Sequence, residues 1–275
     1  MNSLLNYKAI HDLIYKNVQN ATNFNWNNVA KMYDGMARLE REFTKNQINA
    51  MPITKEDTVV DIGCGPGRLS VPMAKRAKSV TSVDAFSDML DFCRKNAKEE
   101  GVSNINFLQK DWKDEDALSV VGMHDIVVAS RSVGLFDIIK LNKIARKYVV
   151  LLSFANAPSL REIQLDFLKD ITEIPPFKQD ENSRMFNYNL TFNMVYDLGA
   201  NPSVVVVDDG FEKTYKTKEE AYEHLRFVGD IPKDKEEIYR RNVDNFLTCK
   251  SDGTFELLRK TKTYVLWWKS KELNV

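Results

Sequence analysis

Val59-Val60-Asp61-Ile62-Gly63-Cys64-Gly65-Pro66-Gly67 is the stretch on which the reading of this chain turns. A β-branched run beginning at Asp57 ends in a carboxylate and three alternating glycines, and a helix-like stretch follows from Leu69 to Ala77. Short apolar runs of this kind, closed by glycine, read as buried parallel strands. Glycine admits positive φ and lets a ligand approach the backbone closely, so this junction reads as a binding loop at a strand end. Pro72 fits the following helix only within its first turn.

The alternation continues downstream. Ser79 to Asp84 reads as a second strand, and Ser87 is placed to cap a helix running to Glu100, with Gly101 just past its end. Further strands are expected at 106–108, 124–129 and 148–154, with helical spacing over 136–146. Strands separated by helices make βαβ units, hence a parallel sheet covered on both faces. Beyond 157 the pattern predicts helices over 159–172, up to the Pro175-Pro176 break, and over 188–198, closed by Gly199. Strands follow at 204–207 and 263–268, with charged helical stretches at 217–228 and 233–246 between them. Upstream, Tyr7, Ile10, Leu13, Ile14 and Val18 form one stripe of a helix over 3–20. A second helix runs from about Trp26 into the thirties, and a third from Met36 to Met51, which Pro52 stops.

The 275 residues suffice for one large domain or two small ones, and 43% hydrophobic with 28% charged residues is ordinary globular composition. Thirty-nine basic against 39 acidic side chains give no net charge, so the chain has no overall footprint for nucleic acid or an anionic membrane. A local basic patch stays open. Cys64, Cys93 and Cys249 form no C-x-x-C pair, and His11, His124 and His224 no H-E-x-x-H. Neither a disulfide framework nor a zinc cluster is expected, and a reducing compartment fits. No apolar run approaches the roughly 20 residues of a membrane span, and no signal-peptide core is visible, so a cytoplasmic protein is expected.

Two ligand classes compete for the glycine loop. The dinucleotide pattern G-x-G-x-x-G meets Arg68 at its sixth position when counted from Gly63 and Ser70 when counted from Gly65, so it fails in both registers. A P-loop fails for want of Gly-Lys-Ser or Gly-Lys-Thr. The D-x-G-x-G-x-G arrangement instead resembles motif I of the class I S-adenosylmethionine-dependent methyltransferases. A leading carboxylate suits an ammonium and a sulfonium better than a pyrophosphate. The resemblance extends over residues 57 to about 155 and implies a cofactor site. In it Asp61, Gly63, Cys64, Gly65 and Gly67 wrap the methionine end, Asp84 accepts both ribose hydroxyls, and Ala85 and Met89 line the adenine. It further implies that Asp111 takes the adenine amino group beside Trp112, and that Ser130 ends a motif IV strand, His124 to Arg131, facing the methyl group. Phe186 through Val207 are also similar to small bacterial and archaeal methyltransferases of unassigned substrate, which adds no chemistry.

The fold so implied is α/β, a Rossmann-like three-layer sandwich with a seven-stranded, mostly parallel sheet and an antiparallel last strand. A helical N-terminal cap is expected over 1–52. The methyltransferase domain would occupy 53–275, with add-on segments 158–200 and 210–250 closing the acceptor pocket. Methyl transfer from a sulfonium needs alignment and a water-poor site more than a catalytic triad, so the absence of one counts for little. Ala129-Ser130-Arg131-Ser132 departs from the D/N-P-P-Y/F of exocyclic-nitrogen enzymes, which argues against a DNA acceptor, and no glutamate pair of the protein-arginine type lies in 130–145. A small-molecule acceptor leads, with an RNA acceptor or a non-catalytic cofactor sensor as alternatives; a homodimer is compatible with either. Trp26 and Tyr33, seven apart on one helical face, are acceptor-pocket candidates, or else pack the cap. Arg131 could recognise a carboxylate or phosphate, or form a structural salt bridge. His124 reads as packing, Cys64 as no nucleophile, and Trp267-Trp268 as cover for the sheet.

Overall fold

Residues 58–62 form strand β1 (Thr58–Ile62), which pairs in parallel with β2 (Ser79–Asp84) on one side. The computed structural model describes residues 5–20, 25–156, 160–172 and 188–274. Strand β3 (Ile105–Gln109) extends the sheet beyond β2. On the other side of β1 lie β4 (His124–Ser130) and β5 (Ala145–Asn156), also parallel. Three further strands complete the sheet: β6 (Ser203–Tyr215), β7 (Leu247–Cys249) and β8 (Phe255–Lys269). The order is β3-β2-β1-β4-β5-β8-β6, with β8 antiparallel to both neighbours and β7 paired to β8.

The seven strands expected from sequence are therefore present, and the last is antiparallel. An eighth, β7, was not legible because three residues carry no period. Strands β6 and β8 also outrun their apolar cores, to 13 and 15 residues, through charged positions such as Asp208, Glu212 and Lys260.

Alternation along the strands divides the core into two layers. Val60, Val127, Val149 and Leu266 face one layer, while Val59, Val128, Val150 and Val265 face the other. The first layer is covered by helices α1 (Tyr7–Asn20), α6 (Ala117–Val121), α7 (Ile138–Lys143) and α9 (Tyr188–Asp197), the second by α3 (Arg41–Asn49) and α4 (Ser70–Ala74). Helix α2 (Ala30–Leu39), reached through a 3-10 turn at Trp26–Val29, and α5 (Ser87–Glu99) flank the glycine loop. A third cluster joins Met32, Met36 and Leu39 of α2 to Ile163 and Phe167 of α8 (Leu160–Phe167). It continues through Phe211 and Tyr215 of β6, Tyr222 of α10 (Lys218–His224) and Tyr239 of α11 (Glu236–Asp244).

Three local expectations need correction. The helix expected over 36–51 is interrupted at Glu40, which turns its buried side chain inward between α2 and α3. Ser87 is the first helical residue rather than the cap; Phe86 precedes the helix with no side-chain cap, and the Ser87 hydroxyl bonds Asp88 at 3.2 Å. The N-terminal helices do not sit together: Tyr7 of α1 joins the layer of α9, whereas α2 joins α8, α10 and α11. Ser159, Pro175, Pro176, Phe186 and Asn187 lie outside the described residues.

Candidate active site

The sheet order reverses between β1 and β4, and the crevice at the carboxyl ends of such strands is where open α/β sheets bind ligands. A cavity of about 460 Å³ lies there, within the range of small-ligand sites. It is lined by the loops after β1, β2, β3 and β4 and by one side of α2.

The glycine loop is fixed first by backbone. Gly63 N and Cys64 N both donate to Val83 O of β2, at 2.8 and 3.0 Å. Gly65 N donates to Asp84 Oδ2 at 2.8 Å, and Phe86 N donates to Asp84 Oδ1 at 3.0 Å. Both carboxylate oxygens of Asp84 are thus oriented by amides, and its burial pushes its proton affinity up. Gly63, Gly65 and Gly67 all have positive φ, at 70°, 54° and 84°, but only at Gly65 would a side chain find open space. A Cβ on Gly63 would meet Ser132 Cβ at 2.5 Å, and one on Gly67 would meet Cys93 Sγ at 2.5 Å. A Cβ on Gly65 would meet nothing nearer than Met89 Sδ at 4.0 Å.

Cys64, Gly65, Asp84, Ala85, Met89, Asp111, Trp112 and Ser130 all line the cavity, with Gly63. Asp61 and Gly67 do not. Gly67 packs against α5, and Asp61 lies beneath the loop, where Ser70 Oγ donates to its Oδ2 at 2.7 Å. Burial raises Asp61 to about 6, against the opposing charge of Arg68. Burial likewise pushes the Cys64 thiol up, which leaves it a poor nucleophile at neutral pH. Asp111 stands exposed at the rim and accepts from Lys113 N at 2.9 Å. Trp112 is buried, and its indole N–H has no partner among the described residues.

The wall opposite the loop belongs to α2 and its 3-10 turn. Trp26 and Tyr33 both line the cavity and meet edge to face, ring centroids 5.3 Å apart. Arg131 is not a free cation at the mouth. Its backbone is left-handed, φ 51°, and its guanidinium turns inward. Nη1 donates to both oxygens of Glu40, at 2.9 and 2.8 Å; Nη2 donates to Asp209 Oδ2 at 2.7 Å and Thr263 Oγ1 at 3.1 Å. The guanidinium carbon lies 3.5 Å from the Phe154 ring centroid. The structural salt bridge is therefore its arrangement. Arg68, beside it, donates to Gln47 Oε1 and to Ser130 Oγ, both at 2.7 Å, and stands 3.4 Å from Glu40.

Glu40, Arg68 and Asp209 were missed in the sequence because their partners lie far along the chain, 91 residues from Glu40 to Arg131 and 78 from Arg131 to Asp209. His124 reads as expected: its Nε2 is 3.0 Å from Thr81 Oγ1, at the far end of β4 from the cavity. Asp125 is likewise remote, accepting from Thr58 N at 2.9 Å. Nor do the add-on segments line the cavity; among the described residues its walls come from 26–136, and 160–172 and 211–257 support α2 from behind.

The sheet is Rossmann-like, with the glycine loop, the amide-held Asp84 and the crevice together at the carboxyl ends of its parallel strands. Residues 53–173 match the family described as methyltransferase domain. An uncharacterized protein of Haemophilus influenzae is 31% identical over 155 residues, 54% of this chain and 57% of that protein. A 23S rRNA (uracil(1939)-C(5))-methyltransferase of Aliivibrio fischeri is 27% identical over 78 residues, 28% of this chain but 18% of its own length. Thus the chain spans little more than half of one curated relative and under a fifth of the other. The solved structure of precorrin 8W decarboxylase from Methanobacterium thermoautotrophicum aligns at 14% identity with a TM-score of 0.48, covering 82% of this chain and 89% of that one.

Proposed function

We propose that this protein binds S-adenosylmethionine across the ends of β1, β2 and β4 and transfers its methyl group to a small-molecule acceptor. The carrying observation is Asp84, a buried carboxylate whose two oxygens are held by the amides of Gly65 and Phe86, beside the loop glycine, Gly65, whose Cβ would find open space. A carboxylate so held is a ready acceptor for a pair of ribose hydroxyls. Asp111 and Trp112 would hold the adenine end, and the unpartnered indole N–H fits a site made to receive a polar ligand.

The cofactor supplies an activated methyl group on a sulfonium, and the chain's own residues provide position and shelter. The Gly63–Gly65 turn brings backbone close to the ligand, and the buried acids Asp61 and Asp84 suit its positive groups. Ser130 at the end of β4 and Ser132 just beyond it line the cavity where an acceptor atom would approach in line. Trp26, Tyr33 and Met36 give that approach an apolar wall that excludes water. The 1–52 cap takes part through the Trp26–Val29 turn and α2, which we assign to the acceptor side.

Incubation with methyl-labelled cofactor and fractionated metabolite and RNA pools tests this reading. Label in a small-metabolite fraction is expected. Label confined to RNA would overturn the acceptor class, and no label from protein that binds cofactor would favour a sensor.

A further inference from the structure

The turn after β3 brings Asp111 and Trp112 into the cavity wall. Its own backbone curls it: Lys113 N donates to Asp111 Oδ1 at 2.9 Å, and Asp114 N donates to Asp111 O at 3.1 Å. At its start Lys110 N donates back to Asp84 O at 2.9 Å. The other side of the turn is fixed from α7. Lys140 Nζ donates to Trp112 O, and to Asp114 O at 3.1 Å, and the same ammonium lies 4.9 Å from the Trp112 ring centroid. Lys140 is itself held in place: Asp137 Oδ1 accepts from its N–H at 2.9 Å, and Ile138 and Leu141 of α7 are buried in the same core cluster as Trp112. Among the described residues its ammonium is paired with no carboxylate, so its charge is spent on two main-chain oxygens of one turn. Charge-assisted bonds of this kind are about twice as strong as neutral ones. Lys140 does not line the cavity.

We infer that Lys140 is the positioning residue for base recognition: it holds the turn so that Asp111 stands where an amino group on the base is read, and so sets the preference for an amino over an oxo group there. The inference rests on the proposed cofactor site and deepens it. Asp111 is exposed, and the one hydrogen bond its side chain makes among the described residues comes from within the turn, so its place follows the turn's backbone. One carboxylate oxygen is taken by Lys113 N, which leaves the other for a ligand. A carboxylate only accepts, so it attracts an amino group and repels an oxo group at the same position. Without the ammonium, Trp112 and Ala117 stay packed in the core cluster while the carbonyls between them lose their tie to α7. The loss falls on the turn rather than on the fold.

Two ligands that differ only at the base test this, S-adenosylhomocysteine and S-inosylhomocysteine, titrated calorimetrically into wild type, Lys140→Met and Lys140→Arg. Amide hydrogen exchange of the ligand-free proteins is followed beside them. The wild type should prefer the amino ligand by about tenfold or more. Lys140→Met keeps the stem and loses the ammonium; it should shrink that preference severalfold, chiefly through weaker binding of S-adenosylhomocysteine. In the same variant the amides of Lys113 and Asp114 should exchange faster by about tenfold, with those of β1 and β4 unchanged. Lys140→Arg, which keeps the cation, should restore most of both. A general loss of stability would weaken the two ligands alike and leave their ratio where it was. An unchanged ratio in Lys140→Met, unchanged exchange in the turn, or no preference in the wild type overturns the inference. Failure of the wild type to bind S-adenosylhomocysteine overturns the cofactor reading instead, and the exchange rates then still decide whether Lys140 holds the turn.

Discussion

Gly65 and Gly67 are two residues apart, share a left-handed backbone, and serve different ends. Gly67 is required by packing, since any side chain would collide with Cys93 of α5, whereas Gly65 leaves space that the ligand would occupy. Gly65→Ala should therefore cost about 1–2 kcal/mol of stability from its φ alone and weaken cofactor binding well beyond that. Gly67→Ala should lower the melting temperature more and disturb binding through misplacement of the loop. Thermal melts run beside calorimetric titration separate the two; equal binding losses at equal stability would contradict the distinction. The sequence marked three glycines as one motif because spacing alone cannot tell a ligand-facing glycine from a helix-facing one. Asp84, expected from the resemblance to accept the ribose hydroxyls, lies at a strand end and lines the cavity. Arg131 was open to two readings until its partners, Glu40 between α2 and α3 and Asp209 on β6, were visible.

Helix α2 owes its place to a close approach. A Cβ on Gly35 would lie 2.4 Å from the ring of Phe227, so α2 can seat against the 3-10 turn Leu225–Val228 only with glycine there. From the other side, Asn96 of α5 donates to Asp34 Oδ1 at 2.6 Å and to Pro66 O at 2.9 Å, tying α2 to the glycine loop. Gly35→Ala should cost about 1–3 kcal/mol, the scale of overpacking, and should quench the difference in Trp26 environment between free and cofactor-bound protein. Urea unfolding and tryptophan fluorescence check it; unchanged stability would show that α2 seats without this contact. The strands β1 to β5 were legible because apolar runs and turn residues alternate at regular intervals. The support behind α2 was not, because its elements come from 160–172 and 211–257 and their apolar faces carry no sign of what they cover.

At the scale of the whole molecule, Asp61 makes stability depend on pH in a direction opposite to that of ordinary salt-bridged carboxylates. Asp61 is raised to about 6 in the folded chain, by burial above all, against an ordinary value of about 3.9. Its contribution is fully present below the unfolded value and is lost as pH rises through the folded one, so stability should fall between about pH 4 and pH 6 on its account. Asp61→Asn should flatten that part of the profile, which urea titrations at several pH values would reveal; an unaltered slope would contradict it. A cationic ligand favours the ionised acid, so wild-type cofactor affinity should rise over the same interval, and less so in Asp61→Asn. The zero net charge conceals this buried carboxyl, since composition sums charges that the fold separates.

The central claim is that Asp84 and the turn beside it form the cofactor site, and calorimetric titration of wild type and Asp84→Ala with S-adenosylmethionine, S-adenosylhomocysteine and NAD tests it most directly. Both sulfur ligands should bind the wild type at one site and lose about 1.5–3 kcal/mol in the variant, with NAD binding weaker than either. Unchanged affinity in Asp84→Ala, or NAD binding tighter than both sulfur ligands, would contradict the account.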